Sequence, residues 1–571
     1  MGDSVSTVYS DFIWKDQRSA LASDLYGNPP KTMGEIMELV SPILAEYEEQ
    51  GWHDPTREGS LAKALVEINH DLGGLTPRVG RSIDALGSGA IEAAHQSVIA
   101  GGPCYVLNKA ATARRIADMS VGQENELTPF FFVADYDVVQ TELIKIRTPI
   151  MGQGGNLISI PVPKGYENSP AGSLPLPNYE WLEDVEEGMK ASYRPMFKSL
   201  EMNTRKLFEE RLEAGLALIR HAFVNSSCLG DFSERILARL LNVEGNLGIP
   251  LISASDERIR KLMSNGFEFL LREDIREKFL RVHMEITERI KSSGFIPGAG
   301  DRQTNYVPFF YECPGSNCHR SRVEMNYETR GSSGLLTGKC PTCGELVEIE
   351  VSTTDPDLKE FAHLLSPRVD SRQFAIDTVL PVIAHVGGEG ETAYYAQVIP
   401  IANELKVPFP VFVKYPRVYF NTPWNEDLAG QLKEKDLPAL HSPEMFKITG
   451  KINRSKKKGK SDEMNDALRE FHDFVNERHD ALNAEVTAIA KKGEKVKKNG
   501  SSQEHLAKLD MERYLSWAFG QYSQGKFGQE SAWLWIEWTV NSGLADPFGP
   551  YMRAYVPEMR NGATLFVNFS T

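Results

Sequence analysis

Apolar residues recur at helical spacing through residues 1–90: Ile36, Val40, Ile43, Leu44 and Tyr47 share one face, and LAKALVEINHDL continues the pattern. Residues 91–118 read as helical stretches around AHQSVIAGGPCYVLNKAATARRIADM. The period then changes. In TPFFFVADYD an apolar run, Phe130 to Ala134, closes on Asp135 and Asp137, as in a buried parallel strand whose carboxyl end opens on a site. Residues 152–196, rich in Gly, Pro, Ser and Asn, read as a connection or a small inserted element. A long amphipathic helix is expected from Met196 to Val224, then a strand, a Ser/Asp cap and a helix in GIPLISASDERIRKLM, with helix again to Ile290. TVLPVIAHVGG and VPFPVFVKYPR are two further strands. Strands alternating with helices predict an α/β core with a parallel sheet, interrupted by an insertion over 152–355. Farther on, Leu468, Val475, Leu482 and Ile489 recur every seventh residue, which predicts a helical hairpin or short coiled coil. KKGEKVKKNGSS would be its tip and SQEHLAKLDMERYLSWAFGQY its return helix. The aromatic residues 526–571, with Trp533, Trp535 and Trp538, read as packed.

At 571 residues the chain is too long for one core and predicts three or four units. Apolar residues at 41% and charged ones at 25% exclude wholesale disorder. The 63 Lys+Arg against 78 Asp+Glu give a net charge of −15, which argues against a general nucleic-acid or anionic-membrane binder. No apolar run is long enough to span a membrane, and the acidic start does not look like a secretory signal, so a cytoplasmic protein is expected. The basic runs 454–460 and 491–498 read as solvated ends of the hairpin, with a lysine loop closing on phosphate as the alternative for 456–461.

Four of the six cysteines cluster. Cys313 and Cys318 enclose four residues, Cys340 and Cys343 enclose two, and 21 residues separate the pairs. Two short-spaced pairs let two turns present four thiolates to one tetrahedral Zn²⁺, a closed set that marks a structural rather than a catalytic metal. Gly344 supplies the tight turn of the second pair. His319 is a weaker candidate ligand, because four cysteines already satisfy zinc.

Two segments carry a family resemblance. One is Gly102-Pro103-Cys104-Tyr105-Val106-Leu107-Asn108-Lys109, preceded by Ala94-His95-Gln96. The other runs from Ser366 to Val398, SPRVDSRQFAIDTVLPVIAHVGGEGETAYYAQV, with Pro416-Arg417 after it. These resemble the cysteine ligases (cysteine-adding enzymes) of bacillithiol biosynthesis. The family's Gly-Pro-x-Tyr-x3-Lys is met by Gly102, Pro103, Tyr105 and Lys109. Its later block is similar at Arg372, Asp377, Gly387-Gly388, Glu391, Tyr394 and Gln397. The chain departs from the family's pattern at Ala94-His95, at Tyr136 between the two aspartates, at His385 and Glu389, and in carrying the four cysteines.

The resemblance implies a Rossmann-like core similar to class I synthetases and nucleotidyl transferases, with connecting-peptide insertions and a coiled-coil hairpin that pairs two subunits. Combined with the patterning along the chain and the cysteine cluster, this divides the sequence into N-terminal helices and the first half of the core (1–150), a helical insertion (151–305), a zinc ribbon (306–355), the second half of the core (356–425), the hairpin (426–525) and a tail packed on the core (526–571). The resemblance also implies that cysteine is joined through its carboxyl group to the amine of glucosaminyl malate. ATP or another nucleotide is the expected activating cofactor.

The residues also admit a direct chemical reading. Amide formation from a free carboxylate needs activation, a base for the amine and donors for the oxyanion. His95 is a candidate base or phosphate donor, or else a histidine satisfied by backbone. Gln96 adjoins it. Gly101, Gly102 and Pro103 ahead of a helix offer amides to an anion, with Lys109 adding charge, or form an ordinary turn. Alternation puts Asp135 and Asp137 on one face, for an ammonium, a ribose or Mg²⁺, or merely a capped loop. His385, Gly387 and Gly388 end another strand and are expected to face the same crevice. Arg372 and Arg417 are candidate forks for carboxylate or phosphate. Glu391, Tyr394 and Gln397, three apart, are expected on one helix face. Cys104 reads as a small buried residue. The rival functions are a ligase of another amino acid and amine, and a non-catalytic scaffold that binds nucleotide and zinc.

Overall fold

The computed structural model describes residues 3–569 apart from 16–19, 53, 151–152, 199, 423–446, 485–528 and scattered positions between 449 and 483. The heptad positions Leu468, Val475, Leu482 and Ile489, the lysine-rich tip and the return helix lie outside the described residues. The expected pairing of subunits through that hairpin falls there too.

Five strands make the central sheet: β1 (Ala90–Gln96), β2 (Thr128–Ala134), β3 (Leu251–Ser253), β4 (Val382–Gly387) and β5 (Val411–Lys414). Their order is β5-β4-β1-β2-β3 and every neighbouring pair is parallel. Helix α1 (Tyr105–Met119) links β1 to β2, α2 (Arg372–Asp377) precedes β4, and α3 (Glu389–Leu405) links β4 to β5. A parallel sheet covered by helices buries both faces, and all six residues of β4 are buried. The strand order reverses between β1 and β4, and in such sheets the ligand crevice lies beyond the strand ends at that reversal.

The structure corrects the expected organisation in three places. Residues 90–96, read as part of a helical region, form the central strand β1, flanked by β4 and β2. β3 lies inside the segment expected to be an insertion outside the core, yet it pairs with β2 through Phe131 and Leu251. Of the two readings of 152–196 the inserted element holds, with strand Gln153–Ser159 and helix Tyr179–Phe197; Met196 lies in the last turn of that helix, and the long helix expected from Met196 is a separate one, Met202–Val224.

Among the described residues, two three-stranded antiparallel sheets flank the core. One orders Leu365–Pro367, Phe309–Glu312 and Arg322–Glu324; the other orders Asn326–Arg330, Ser333–Lys339 and Leu346–Ser352. The aromatic tail packs on the core. Trp533, Trp535 and Trp538 are fully buried, and Thr564–Asn568 pairs in parallel with Arg417–Asn421. Among the described residues no helix is long and apolar enough to cross a membrane.

Candidate functional site

A cavity of about 830 Å³ opens where β1, β2 and β4 end. From β1 it takes Ala94, His95 and Gln96; from the turn after β2, Tyr136 and Asp137; and from the turn after β4 into α3, Gly388, Glu389, Glu391 and Tyr394. Tyr105 and Lys109 enter from α1, and Arg372 from α2.

His95 Nδ1 lies 2.8 Å from the Gln96 carbonyl oxygen and Nε2 lies 2.7 Å from the Tyr105 hydroxyl. A carbonyl only accepts, so Nδ1 carries the proton and Nε2 accepts from Tyr105. Burial, helped by the Lys109 charge, lowers the imidazole pKa to about 4, so the ring is neutral at neutral pH. The Tyr105 ring is stacked near Tyr415, with centroids 6.2 Å apart, and the Lys109 ammonium sits 5.8 Å from each centroid.

Lys109 is buried and its Nζ donates to Glu391 Oε1 at 2.5 Å and to the Ala94 carbonyl at 3.0 Å. Burial opposes the Glu391 charge, but Lys109 overcomes it and holds the carboxyl at about 2. Glu391 also accepts the Gly388 N–H at 3.1 Å, which fixes the start of α3. Beneath the floor, Glu92 of β1 meets the Arg372 guanidinium and lies 3.0 Å from His385 Nδ1. Despite the cost of burial, these partners hold Glu92 at about 2, whereas burial pushes the His385 imidazole down.

One wall is cationic. Arg302, Arg322 and Arg368 join Arg372 there. Arg302 Nε donates to Asp370 at 2.5 Å, Arg368 to Glu324 at 3.0 Å, and Arg322 reaches Asp137 at 3.5 Å. Arg322 and Arg368 both stack on Phe310, at 4.0 and 4.2 Å. Their Nε atoms are buried without hydrogen-bond partners among the described residues. Stacked, incompletely satisfied guanidinium groups suit the bidentate binding of carboxylate or phosphate.

The expected residues therefore divide. His95, Gln96, Tyr105, Lys109, Asp137, Arg372, Gly388, Glu391 and Tyr394 surround one cavity. Arg417 lines a smaller neighbour of about 330 Å³ that shares Tyr105, Gly388, Glu389 and Tyr415 with it. The other expected positions lie elsewhere. Asp135 does not share a face with Asp137, because β2 stops at Ala134 and the turn redirects it. It is buried, with burial raising its pKa to about 6. His385 lies wholly under the floor. Gln397 turns away from Glu391 and Tyr394 to bond the Ala299 N–H and the Thr287 hydroxyl.

Nor do Gly101, Gly102, Pro103 and Gly387 line the cavity. The amides of Gly101 and Gly102 are taken by the Val98 and Ile99 carbonyls, and the Cys104 amide by Trp533, which leaves no anion cradle among them. Gly387 is needed for close packing, since a Cβ there would meet the Phe412 ring at 2.6 Å. Cys104 is a buried thiol donating to the Leu534 carbonyl at 3.3 Å. Sequence reasoning missed Arg302, Arg322, Arg368 and Glu92. Only Arg368 left a signal, standing one helical turn before Arg372.

The sulfur atoms of Cys313, Cys318, Cys340 and Cys343 all lie within 4.8 Å of one another. Cys313–Cys343 and Cys318–Cys340 are 3.9 and 3.8 Å apart. A tetrahedron with ~2.3 Å Zn–S bonds has edges of about 3.8 Å. The donor set therefore fits a metal ion, compatibly with zinc. Gly344 turns at φ +77°, its N–H bonded to the Cys340 carbonyl. His319 is not part of this set: its ring stacks on Tyr166, centroids 4.0 Å apart.

Three relatives share the printed name "Putative cysteine ligase BshC". That of Chloroherpeton thalassium is 27% identical over 42% of this chain and 38% of its own length. That of Lysinibacillus sphaericus is 24% identical over 61% and 58%, and that of Natranaerobius thermophilus 23% identical over 60% and 56%. The matched region thus spans between about two fifths and three fifths of the relatives' length. A parallel sheet in Rossmann order, with a cavity at its reversal, agrees with the family model that matches residues 16–418, described as the N-terminal Rossmann-like domain of bacillithiol biosynthesis BshC. The chain belongs to the BshC family.

Proposed function

We propose that the protein joins the carboxyl group of cysteine, or a related amino acid, to the primary amine of a small glucosaminyl-malate-like acceptor. One observation carries this reading. The 830 Å³ cavity is lined by four arginines, two of them with a buried Nε that has no partner among the described residues, and by Asp137, Glu389 and Glu391. Such a lining suits a substrate that carries both carboxylates and an amine, as this acceptor does.

ATP, when bound, activates the amino acid's carboxyl group. The chain's own residues orient the partners and move the proton. As the amine nitrogen attacks the activated carboxyl carbon, the C–N bond forms and the leaving group departs. The nitrogen's proton passes to the Tyr105 oxygen while the Tyr105 proton passes to His95 Nε2, which is free to receive it because Nδ1 keeps its own. In this reading the four thiolates hold structural Zn²⁺, and a reducing cytoplasm keeps them available.

The test is incubation of the purified chain with glucosaminyl malate, cysteine and ATP, followed by mass spectrometry for the amide-linked thiol. Product formation that falls at least a hundredfold in Tyr105→Phe supports the reading. Absence of product with cysteine and with every other amino acid tried sinks it.

A further inference from the structure

The cysteine cluster and the arginine wall share one piece of backbone. Strand Phe309–Glu312 runs directly into Cys313, and Arg322–Glu324 leaves the same turn after Cys318. The Cys313 N–H bonds the Ser321 carbonyl at 2.9 Å, and the Ser321 N–H bonds that of Cys318 at 2.8 Å. The far side of this hairpin is cavity wall, where Phe310 pairs with Glu324, and Phe310 and Arg322 face the cavity. Glu312, with no exposed surface, is gripped at 2.7 Å by both Arg260 and Arg320.

The turn itself is strained. His319 and Arg320 are consecutive non-glycine residues at φ +49° and +62°, a conformation that persists only when its surroundings over-determine it. The other two cysteines come from a different sheet, within the turn that joins Ser333–Lys339 to Leu346–Ser352. A metal held by all four would therefore tie the strained turn, two residues before Arg322, to the neighbouring sheet, which already packs on Val323 through Gly338.

We propose that a metal ion in the four-thiolate site positions the arginine wall, so that its occupancy sets how tightly the cavity binds a polyanionic group. Arg322 and Phe310 are then the link between metal and cavity. The nature of the bound group rests on the function proposed above; the coupling does not.

The test uses the full chain with its metal, stripped by chelator, and reloaded with Zn²⁺. Elemental analysis should find one metal per chain. Hydrogen exchange in peptides covering 309–324 should speed at least tenfold on stripping, while the β4 peptide 382–387 stays unchanged. Binding should weaken at least tenfold, with malate as the carboxylate probe and pyrophosphate as the phosphate probe, and the probe that responds identifies the chemistry. Zn²⁺ should restore both readouts. Arg322→Gln should keep the metal and the slow exchange yet lose the binding. The proposal is overturned if no metal binds, if stripping unfolds β4 as well, if exchange and affinity survive stripping, or if Arg322→Gln binds both probes as tightly as before. None of these readouts needs turnover. A metal-loaded chain that shows the coupling but forms no thiol would sink the ligase reading alone.

Discussion

Glu92 carries a full negative charge in the middle of a central strand with no exposed surface, and Arg372 and His385 are what make that tolerable. Removing one partner of such a pair leaves the other charge buried and unmatched, at a cost of about 3–5 kcal/mol. Glu92→Gln should therefore lower the unfolding free energy by at least about 3 kcal/mol in a denaturant titration; a loss below about 0.5 kcal/mol would refute the ion-pair account. The pH sign follows from its pKa of about 2, below the ordinary carboxylate value. The unfolded chain takes up the proton first, so the stabilisation is intact above about pH 4.5 and fades as the pH falls towards 2. Glu391, also at about 2, adds a second loss over the same window. His95, at about 4, lies below the ordinary imidazole value, so its share is present above about pH 6.5 and is lost as the pH falls through 4. Its ring C–H resonance should stay flat from pH 5.5 to 8, and a midpoint near 6.5 would show a solvated imidazole. Most of the cavity-lining residues at strand ends and helix starts were legible, because the family motif and strand-end logic both point to them. Arg302 and Arg322 were not, because each sits in a segment of its own and only folding gathers them, and the spacing of Arg368 to Arg372 was the sole trace of the third.

At the scale of elements, the segment Gly101–Tyr105 shows why a motif can be found and its role still misread. Gly101 has φ +81°, and a Cβ on it would lie 2.5 Å from Ile236 and 3.2 Å from the Trp535 indole nitrogen. That nitrogen donates to the Ala100 carbonyl at 2.7 Å, and the Trp535 amide to Gly102. Gly101 makes room for Ile236 and the tail's Trp535 rather than for an anion. Gly101→Ala should cost about 1–3 kcal/mol from backbone strain alone, read as a lower urea midpoint, and an unchanged midpoint would contradict this packing. Strand β1 escaped the sequence reading for a related reason. AIEAAHQ is made largely of residues that favour helix, and its strand form is imposed by β2 and β4 on either side. The apolar runs of β2, β4 and β5 needed no such help and were legible as strands.

Across the whole molecule, two carboxyls of the tail titrate in the direction opposite to Glu92 and Glu391. Burial pushes Glu530 and Glu537 up to about 8, with Glu537 accepting from Tyr193 at 2.7 Å. The folded chain holds these protons more firmly than the unfolded one. Their contribution is therefore full below about pH 4.5 and is lost as the pH rises through 8. Glu537→Gln, which cannot ionise, should shrink the fall in stability between pH 5 and 9 by at least about 1 kcal/mol in calorimetry; an unaltered fall would mean that Glu537 is ionised in the folded chain. An α/β core was legible from alternating strands and helices, but the strand order was not, since no local pattern says which strands become neighbours.

That order has a consequence for how the protein is made. The crevice lies between β1 and β4, adjacent in space but separated by about 285 residues of chain. A ribosome finishing β1 and β2 releases a half-sheet whose apolar edge has no partner until β4 emerges. Such a nascent chain has to be shielded while the intervening segments are synthesised. The cavity comes into existence only once that late strand docks, so a chain interrupted anywhere before it would carry His95, Lys109 and Asp137 without any pocket for them to serve.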